Sequence, residues 1–399
     1  MRILTLTSLW PDSTRPNHGI FVENRMRRVH ETGEAEVTVV APVPWFPVPH
    51  PAFGTWGRLA AVPRRETRHG IRVEHPRYAM IPKLGMSAQP ALYLAAARRA
   101  VRRLIEETGP FDVIDAHYFY PDGVAAVRLG AELGIPVAVS ARGSDVSLIP
   151  TVSSHARRAI GETARAADAC IGVCEALRLG LVGMGADPSR SFTLRNGVDL
   201  DGFRPPKDRA ALRARWGVPY GVPLAVSVGG LVALKGHDLT IAAIAETPGA
   251  HLRIAGEGPE RARLEALIAD RRLEARVELL GALPHADLPD LFGAADLSIL
   301  ASSREGWANV LLESMACGTP ALATDVWGTR EVVAAPEAGR LVRDRSIDGL
   351  KQGMVALLAD PPAREAVRAY AESFSWDETV RGVLDVLRGC IERRARRTA

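Results

Sequence analysis

Residues 302–331 read SSREGWANVLLESMACGTPALATDVWGTRE. Two glutamates, Glu305 and Glu313, stand eight positions apart in this stretch. A turn-type Glu-Gly pair leads into the apolar run Val310-Leu311-Leu312, Gly318 and Pro320 stop the predicted helix, and a strand-like Ala321-Leu322-Ala323 follows. A helix passing straight into a short apolar strand is the building unit of an α/β sheet protein. A carboxylate ahead of a helix, bare N–H groups at the helix start and a second carboxylate two turns along also suit a polyhydroxylated anion. The amides and the helix dipole favour a phosphate, and the carboxylates accept hydrogen bonds from sugar hydroxyls. A sugar nucleotide carries both kinds of group.

The same alternation extends in both directions. In the first half, strands are predicted over Ile3–Thr7, Val37–Ala41, Ile71–Glu74, Val113–Ala116, Val137–Ser140 and Ala169–Val173, with helices over Phe21–His30, Ala91–Glu107, Gly123–Leu133 and Ser153–Ala166. In the second, strands are predicted over Leu224–Val228, His251–Ala255, Val277–Leu280, Leu297–Leu300 and Ala321–Thr324. Strands alternating with longer helical patterns imply parallel sheets with helices on both faces. The Pro205-Pro206 pair and Gly217/Gly221 interrupt the pattern. Two doubly wound domains are therefore expected: 1–200, a linker over 201–222, and 223–375, with a last helix over 376–394 returning to the first domain. Ligands of such sheets collect at the carboxyl ends of strands, so the expected site is a cleft faced by both domains. Val43–Pro63, rich in proline and aromatic residues, reads as a long loop available to an acceptor.

Composition fits this picture. At 399 residues, 47% hydrophobic and 24% charged, the chain suits two globular domains. The opening MRILTLTSLWP is a short apolar run broken by Pro11, which reads as a strand rather than a leader, so a cytoplasmic location is expected. Four cysteines, Cys170, Cys174, Cys317 and Cys390, are too few for a disulfide framework and read as small buried residues. The net charge is +4, with basic clusters at Arg98-Arg99/Arg102-Arg103 in the amphipathic stretch Leu92–Ile105, and at Arg393, Arg394, Arg396 and Arg397. These are solvated faces or sites for anionic lipid head groups at the inner membrane face. No nucleic-acid recognition motif accompanies them, so nucleic acid is not an expected partner.

Lys235 lies in VGGLVALKGH, just past an apolar strand. A glycine-rich strand exit lets a phosphate approach the backbone, and a lysine there supplies a point charge. Gly256 opens the Gly-Glu-Gly-Pro turn after the next strand; Asn196-Gly197 is a turn dipeptide; Gly19 follows the first strand. His117 ends the strand of FDVIDAH, and Arg142 with Asp145 lies just past another, where the pair can brace its own loop. Asp199 and Asp201 lie in the linker, and no carboxylate–histidine cluster suggests a metal.

Taken together, EGWANVLLE with its trailing CGTPALAT, GIFVENRMRRV, DAHYFYPDG, SARGSD, RNGVD, VGGLVALKGH and AGEGPER resemble the retaining nucleotide-sugar glycosyltransferases of family 4, and the resemblance covers nearly the whole chain. It implies the GT-B fold, two Rossmann-like doubly wound domains facing a cleft, and transfer of a sugar from a nucleotide diphosphate sugar to a hydroxyl of a glycan or lipid-linked acceptor, without cofactor or metal. It further implies that Glu313 binds the ribose, Glu305 the donor sugar, and the amides of Gly306, Trp307, Ala308, Asn309 and Val310 the sugar and phosphates. Lys235 would neutralise the diphosphate, Gly19 would approach it, His117 would contact the transferred sugar, and Leu283 the base. Arg142, Asn196, Gly230 and Gly256 complete the expected donor site. One departure is clear: family members commonly carry an arginine where this chain has Gly230, which removes an expected cation; Arg195 and Arg142 are candidate substitutes. A non-catalytic sugar-nucleotide or glycan-binding component, or an epimerase of the same architecture, are the alternatives. A dehydrogenase would need G-x-G-x-x-G after its first strand, where this chain has Leu9-Trp10-Pro11.

Overall fold

The structure, a computed structural model, describes residues 1–80 and 86–398, with side chains to residue 396, so the Arg397 side chain of the basic tail lies outside it. The chain forms two compact units, Met1–Asn196 with Trp376–Ala399, and Gly197–Ser375.

The first unit is built on an eight-stranded sheet. Its strands are β1 (Arg2–Thr7), β2 (Glu36–Val40), β4 (Arg65–Arg68), β5 (Ile71–Glu74), β7 (Val113–His117), β8 (Val137–Ala141), β9 (Ala169–Gly172) and β10 (Ser191–Thr193), while β3 (Val43–Pro44) and β6 (Arg77–Tyr78) pair separately. The order is β10-β9-β8-β7-β1-β2-β5-β4, parallel except for the edge pair β4–β5. Ile3, Leu4 and Leu6 of β1 are all fully buried, as a central strand covered on both faces requires. The helix Trp376–Thr398 belongs to this unit. Its Val380, Val383, Leu384, Leu387 and Cys390, at helical spacing, join the core formed by Ile3, Val113, Ala138 and Ile171 with Val22, Met26 and Val29 of the helix Ile20–Glu31.

The second unit carries β11 (Leu224–Val228), β12 (His251–Ala255), β13 (Val277–Gly281), β14 (Leu297–Leu300), β15 (Ala321–Thr324) and β16 (Gly339–Val342) in the order β13-β12-β11-β14-β15-β16, all parallel. Ile241, Ile244, Leu252, Ile254, Leu297, Ile299, Leu322 and Met354 pack its core. The ends of this unit are tied by the Val198 N–H donating to Phe374 O at 3.0 Å.

Two sequence expectations need correction. The boundary lies at Asn196/Gly197, so the stretch taken as a linker, 201–222, is part of the second unit and contains the helix Arg209–Arg215, whose Arg209 and Arg213 hold Asp296. Val43–Pro63 is not a continuous loop: it contains β3, a 3₁₀ turn Pro51–Phe53 and the helix Gly54–Ala61, because Val43, Leu59 and Val62, with Trp56 against them, bury a small satellite core. β4, β10 and β16, three or four residues each, were too short or too polar to be read from periodicity. Among the described residues, no helix is long and apolar enough to cross a membrane.

Candidate active site

In each sheet the strand order reverses once near the middle, between β1 and β7 in the first and between β11 and β14 in the second. The loops leaving two such strands diverge to opposite faces and open a crevice at their carboxyl ends, where ligands of doubly wound sheets bind. The sequence candidates concentrate at these two points.

In the second unit, β11 ends at Gly229-Gly230, and a 3₁₀ turn, Ala233–Lys235, presents the lysine before the helix His237–Ala245. Backbone crowding shapes the turn. A Cβ on Gly256 (φ 154°) would sit 1.9 Å from Gly229 O, and one on Gly236 (φ 67°) would sit 2.2 Å from Ala301 O. Gly230 differs: a Cβ there meets only Glu257 O, at an ordinary 3.7 Å. Lys235 Nζ lies 2.6 Å from Glu305 Oε1, the oxygen that also accepts the Ser302 hydroxyl at 2.6 Å. Glu305 follows β14, so the pair spans the reversal point.

Beyond Glu305, the Gly328 N–H donates to Glu305 O at 3.2 Å, and Gly328 lies so close to Gly306 O that a side chain there would clash at 2.0 Å. Trp307 and Ala308 are buried, the indole lying 6.0 Å from the Phe374 ring, so their side chains serve packing. The helix runs Asn309–Ala316, and its first amide is not bare as expected: the Asn309 N–H donates to Trp307 O at 3.1 Å. The tight turn from Trp307 brings that carbonyl back over the helix start. Val310 is the second helical residue. Glu313 lies one turn on, with Oε1 held by His285 Nε2 at 3.0 Å. Each glutamate is thus held by one oxygen. Among the described residues, Oε2 of neither makes a further hydrogen bond. Leu283 is half-buried, two residues before His285.

In the first unit, β1 and β7 are pinned together beyond their carboxyl ends. Asp122 accepts from the Ser8 N–H, from the Ser8 hydroxyl at 3.0 Å and from the Tyr93 hydroxyl at 2.7 Å. Burial pushes its carboxyl up to about 7. His117 closes β7, fully buried, with Nε2 3.2 Å from Asp115 Oδ2 and Nδ1 facing the Arg142 guanidinium. A guanidinium only donates, so Nδ1 accepts and the ring proton sits on Nε2. Burial, opposed by Asp115 and assisted by Arg142, holds the His117 pKa down at about 4. The imidazole is therefore a neutral donor at physiological pH.

Arg142 is an internal brace here. It contacts His117, reaches Asn196 Oδ1 at 3.5 Å and lies 5.5 Å from the Phe21 ring centre, while Asp145 takes the N–H groups of Phe119, Arg142 and Gly143 at 2.8–3.2 Å and shapes the loop. Asn196 is buried, its Oδ1 also taken by Arg25 at 2.9 Å. Gly19 has a structural reason of its own: φ is 71°, and a Cβ would lie 2.3 Å from the Leu9 carbonyl carbon.

Sequence reasoning singled out neither Ser302, Asp115, Asp122 nor His285. The first two sit at i−3 and i−2 from a chosen residue, a detectable signal. His285 stands two residues after Leu283 and Asp122 lies within DAHYFYPDG, but the partners they hold, Glu313, Ser8 and Tyr93, are distant in sequence and left no local signal. All four cysteines are buried and none is in a disulfide, and among the described residues no group of three His, Cys, Asp or Glu side chains is disposed to hold a metal.

Comparison with known proteins places the geometry in context. The profile of "Glycosyltransferase Family 4" matches residues 34–201 and that of "Glycosyl transferases group 1" matches residues 208–374. A Bacillus subtilis glycosyltransferase whose name assigns it to teichuronic acid biosynthesis is 29% identical over 360 residues, 89% of this chain and 88% of its own length. The D-inositol 3-phosphate glycosyltransferase of Acidothermus cellulolyticus is 34% identical over 339 residues, 79% of this chain and 75% of its own. Among solved structures, HepE of Anabaena, crystallised with UDP-glucose, superposes with a TM-score of 0.74 at 22% identity, covering 97% of this chain and 99% of that one, which shows a shared GT-B fold.

Proposed function

Because this chain belongs to glycosyltransferase family 4, with a group 1 glycosyl transferase domain as its second half, we propose that it moves a sugar from a nucleotide diphosphate sugar to an acceptor hydroxyl with retention of anomeric configuration, during assembly of a cell-surface polysaccharide or glycolipid. The observation that carries this reading is the convergence of Lys235 and Glu305 at the reversal point of the second sheet, with Glu313 on the helix that follows. The names of the relatives, and the UDP-glucose held by the Anabaena protein, support a nucleotide-sugar donor.

In this reading Lys235 keeps one N–H on Glu305 and turns the others to the diphosphate. The bond from the anomeric carbon to the diphosphate oxygen breaks as negative charge grows on the leaving phosphate, which an ammonium stabilises more in the transition state than before it. The acceptor oxygen bonds to the same face of the sugar, and its proton passes to a leaving-group phosphate oxygen, so no protein base is needed. Glu305 accepts from a sugar hydroxyl and Glu313 from the ribose. In the first unit, His117 is the residue proposed to lie against the transferred sugar. The reaction is proposed to be metal-independent, the lysine supplying the charge neutralisation. Purified protein with a panel of nucleotide diphosphate sugars tests the reading: a donor that raises Tm by mass action and releases its nucleotide in chelator-treated buffer is the expected result. Protein that binds no donor of the panel, or transfers only with added divalent ion, overturns it.

The acceptor is proposed to be lipid-linked and met at an anionic inner membrane face, but not by way of the basic helix. The helix Gln89–Thr108 buries Tyr93, Leu94, Ala97, Val101 and Leu104 inside its own unit, and Arg98 and Arg103 are engaged by Glu132 and by Glu74 and Glu107. Trp45, Val48 and Phe53, by contrast, are 55%, 41% and 47% exposed, in a stretch with no acidic residue from Val37 to Arg65 and with Arg58 and Arg64 exposed beside them. Aromatic rings flanked by arginine suit a head-group layer.

A further inference from the structure

His285 has no part in the function derived so far, yet it occupies one oxygen of a carboxylate that does. After β13 the chain turns through Leu283 and Pro284 into the 3₁₀ turn His285–Asp287. Two contacts fix the imidazole. Nε2 lies 3.0 Å from Glu313 Oε1. The Phe203 ring meets it edge-on, centroids 5.1 Å apart at 71°. Phe203 is itself buried and leans on Phe292 at 6.3 Å. The hydrogen bond to Glu313 raises the His285 pKa above its usual value against the effect of burial, which keeps the ring a donor toward the carboxylate.

A glutamate on a helix surface has three rotatable side-chain bonds, and fixing such a side chain on binding costs conformational entropy. Here the cost is met before a ligand arrives. Glu313 is 17% exposed and His285 33%, so the pair is reachable from solvent while its geometry is set from within. With Oε1 held, Oε2 is the oxygen left to accept a hydroxyl pair.

We propose that His285 is a positioning residue for the nucleotide: by holding Glu313 Oε1 it leaves Oε2 aimed at the ribose hydroxyls, so that recognition of the ribose, and not of the diphosphate, depends on this histidine. The inference rests on Glu313 as the ribose acceptor. Mere competition, with His285 blocking Glu313 until displaced, makes the opposite prediction, because removing the ring would then tighten binding.

The test is calorimetric titration of the wild type, His285→Ala, His285→Gln and Glu313→Gln with UDP, GDP, their 2′,3′-dideoxy analogues and inorganic pyrophosphate. The expected result is a five- to tenfold weaker binding of the ribonucleotide by His285→Ala, no change for pyrophosphate or the dideoxy analogue, and recovery to within about twofold in His285→Gln, whose amide N–H reaches the same oxygen. In donor hydrolysis, KM should rise in His285→Ala while kcat stays. Tighter ribonucleotide binding by His285→Ala, an equal loss for pyrophosphate, or no change at all would each overturn the role of His285. Failure of the underlying reading looks different: wild type that binds neither ribonucleotide, or Glu313→Gln that binds as wild type does.

Discussion

Lys235 Nζ sits 2.6 Å from Glu305 Oε1, and the two residues reach that contact from loops leaving β11 and β14, neighbours on either side of the reversal in strand order. The ammonium is only 22% exposed and the carboxylate 11%, so the pair is ordered ahead of any ligand. Removing the ammonium leaves Glu305 with Ser302 as its one side-chain partner among the described residues. Lys235→Ala should therefore lower kcat for a matched donor by about 100-fold or more, with a far smaller effect on Tm. Steady-state kinetics beside a melting curve separates the two; unchanged turnover would remove the phosphate role.

The two glycine loops make contrasting predictions. Gly230 has room for a side chain, a Cβ meeting only Glu257 O at 3.7 Å, whereas Gly256 has none, with Gly229 O at 1.9 Å. Gly230→Arg should fold as the wild type does and bind nucleoside diphosphate about tenfold more tightly, the gain expected of one charge-assisted contact. Gly256→Ala should lose about 2–4 kcal/mol of stability. Titration calorimetry and thermal melts of the two variants check this, and a Gly230→Arg that binds no better would show that its guanidinium does not reach the diphosphate.

His117 should titrate near pH 4, far below a free imidazole, and as the Nε2–H tautomer. Its folded pKa lies below the unfolded 6.5, so it contributes stability that is complete above pH 6.5 and lost as pH falls through about 4. Arg142→Ala removes a cation and should raise the midpoint. Two-dimensional ¹H–¹⁵N spectra of the imidazole report both tautomer and midpoint; a midpoint of 6 or above in the wild type contradicts the buried neutral ring.

Asp122 titrates in the opposite sense. Its carboxyl is raised from 3.8 to about 7, so its contribution is complete below pH 3.8 and is lost as pH rises through 7, with a slope of about 1.4 kcal/mol per pH unit between. Asp122→Asn copies the protonated form: Oδ1 still accepts from the Ser8 N–H and the Tyr93 hydroxyl, and the amide donates toward Ser8 Oγ. The variant should gain in Tm over the wild type as pH rises from 5 to 8. Parallel melting series at the two pH values decide it.

Membrane docking should follow the aromatic segment. Trp45→Ser/Phe53→Ser should cut co-sedimentation with phosphatidylglycerol vesicles about tenfold, and Arg58→Glu/Arg64→Glu should abolish the preference for anionic over neutral lipid. Arg99→Glu/Arg102→Glu on the helix Gln89–Thr108 should have the smaller effect. Equal sedimentation of all variants would remove the proposed surface.

How much of this was legible in the chain follows from the range of the forces involved. The strands Leu224–Val228, His251–Ala255, Leu297–Leu300 and Ala321–Thr324 coincide with their sequence-predicted spans, because a strand buried on both faces writes itself as a short, mostly apolar run. Lys235, Glu305 and Glu313 could be placed at strand exits and on the following helix because glycine turns and a helix start announce them locally. Gly19 and Arg142 carry structural duties that the sequence did not announce. Backbone crowding against Leu9 accounts for the first, and the second braces His117.

By itself, then, the order of residues determined the two parallel-sheet units, the family, and which side chains stand at the carboxyl ends of their strands, since each of these depends on periodicity and turn chemistry within a few positions. Tertiary structure alone decided which oxygen of each acid is occupied, which histidine is neutral, that Asp122 locks β1 to β7, and that the Gln89–Thr108 helix turns its apolar side inward. Those outcomes are set by desolvation and by partners up to a hundred or more residues away, and a one-dimensional pattern does not encode such distances.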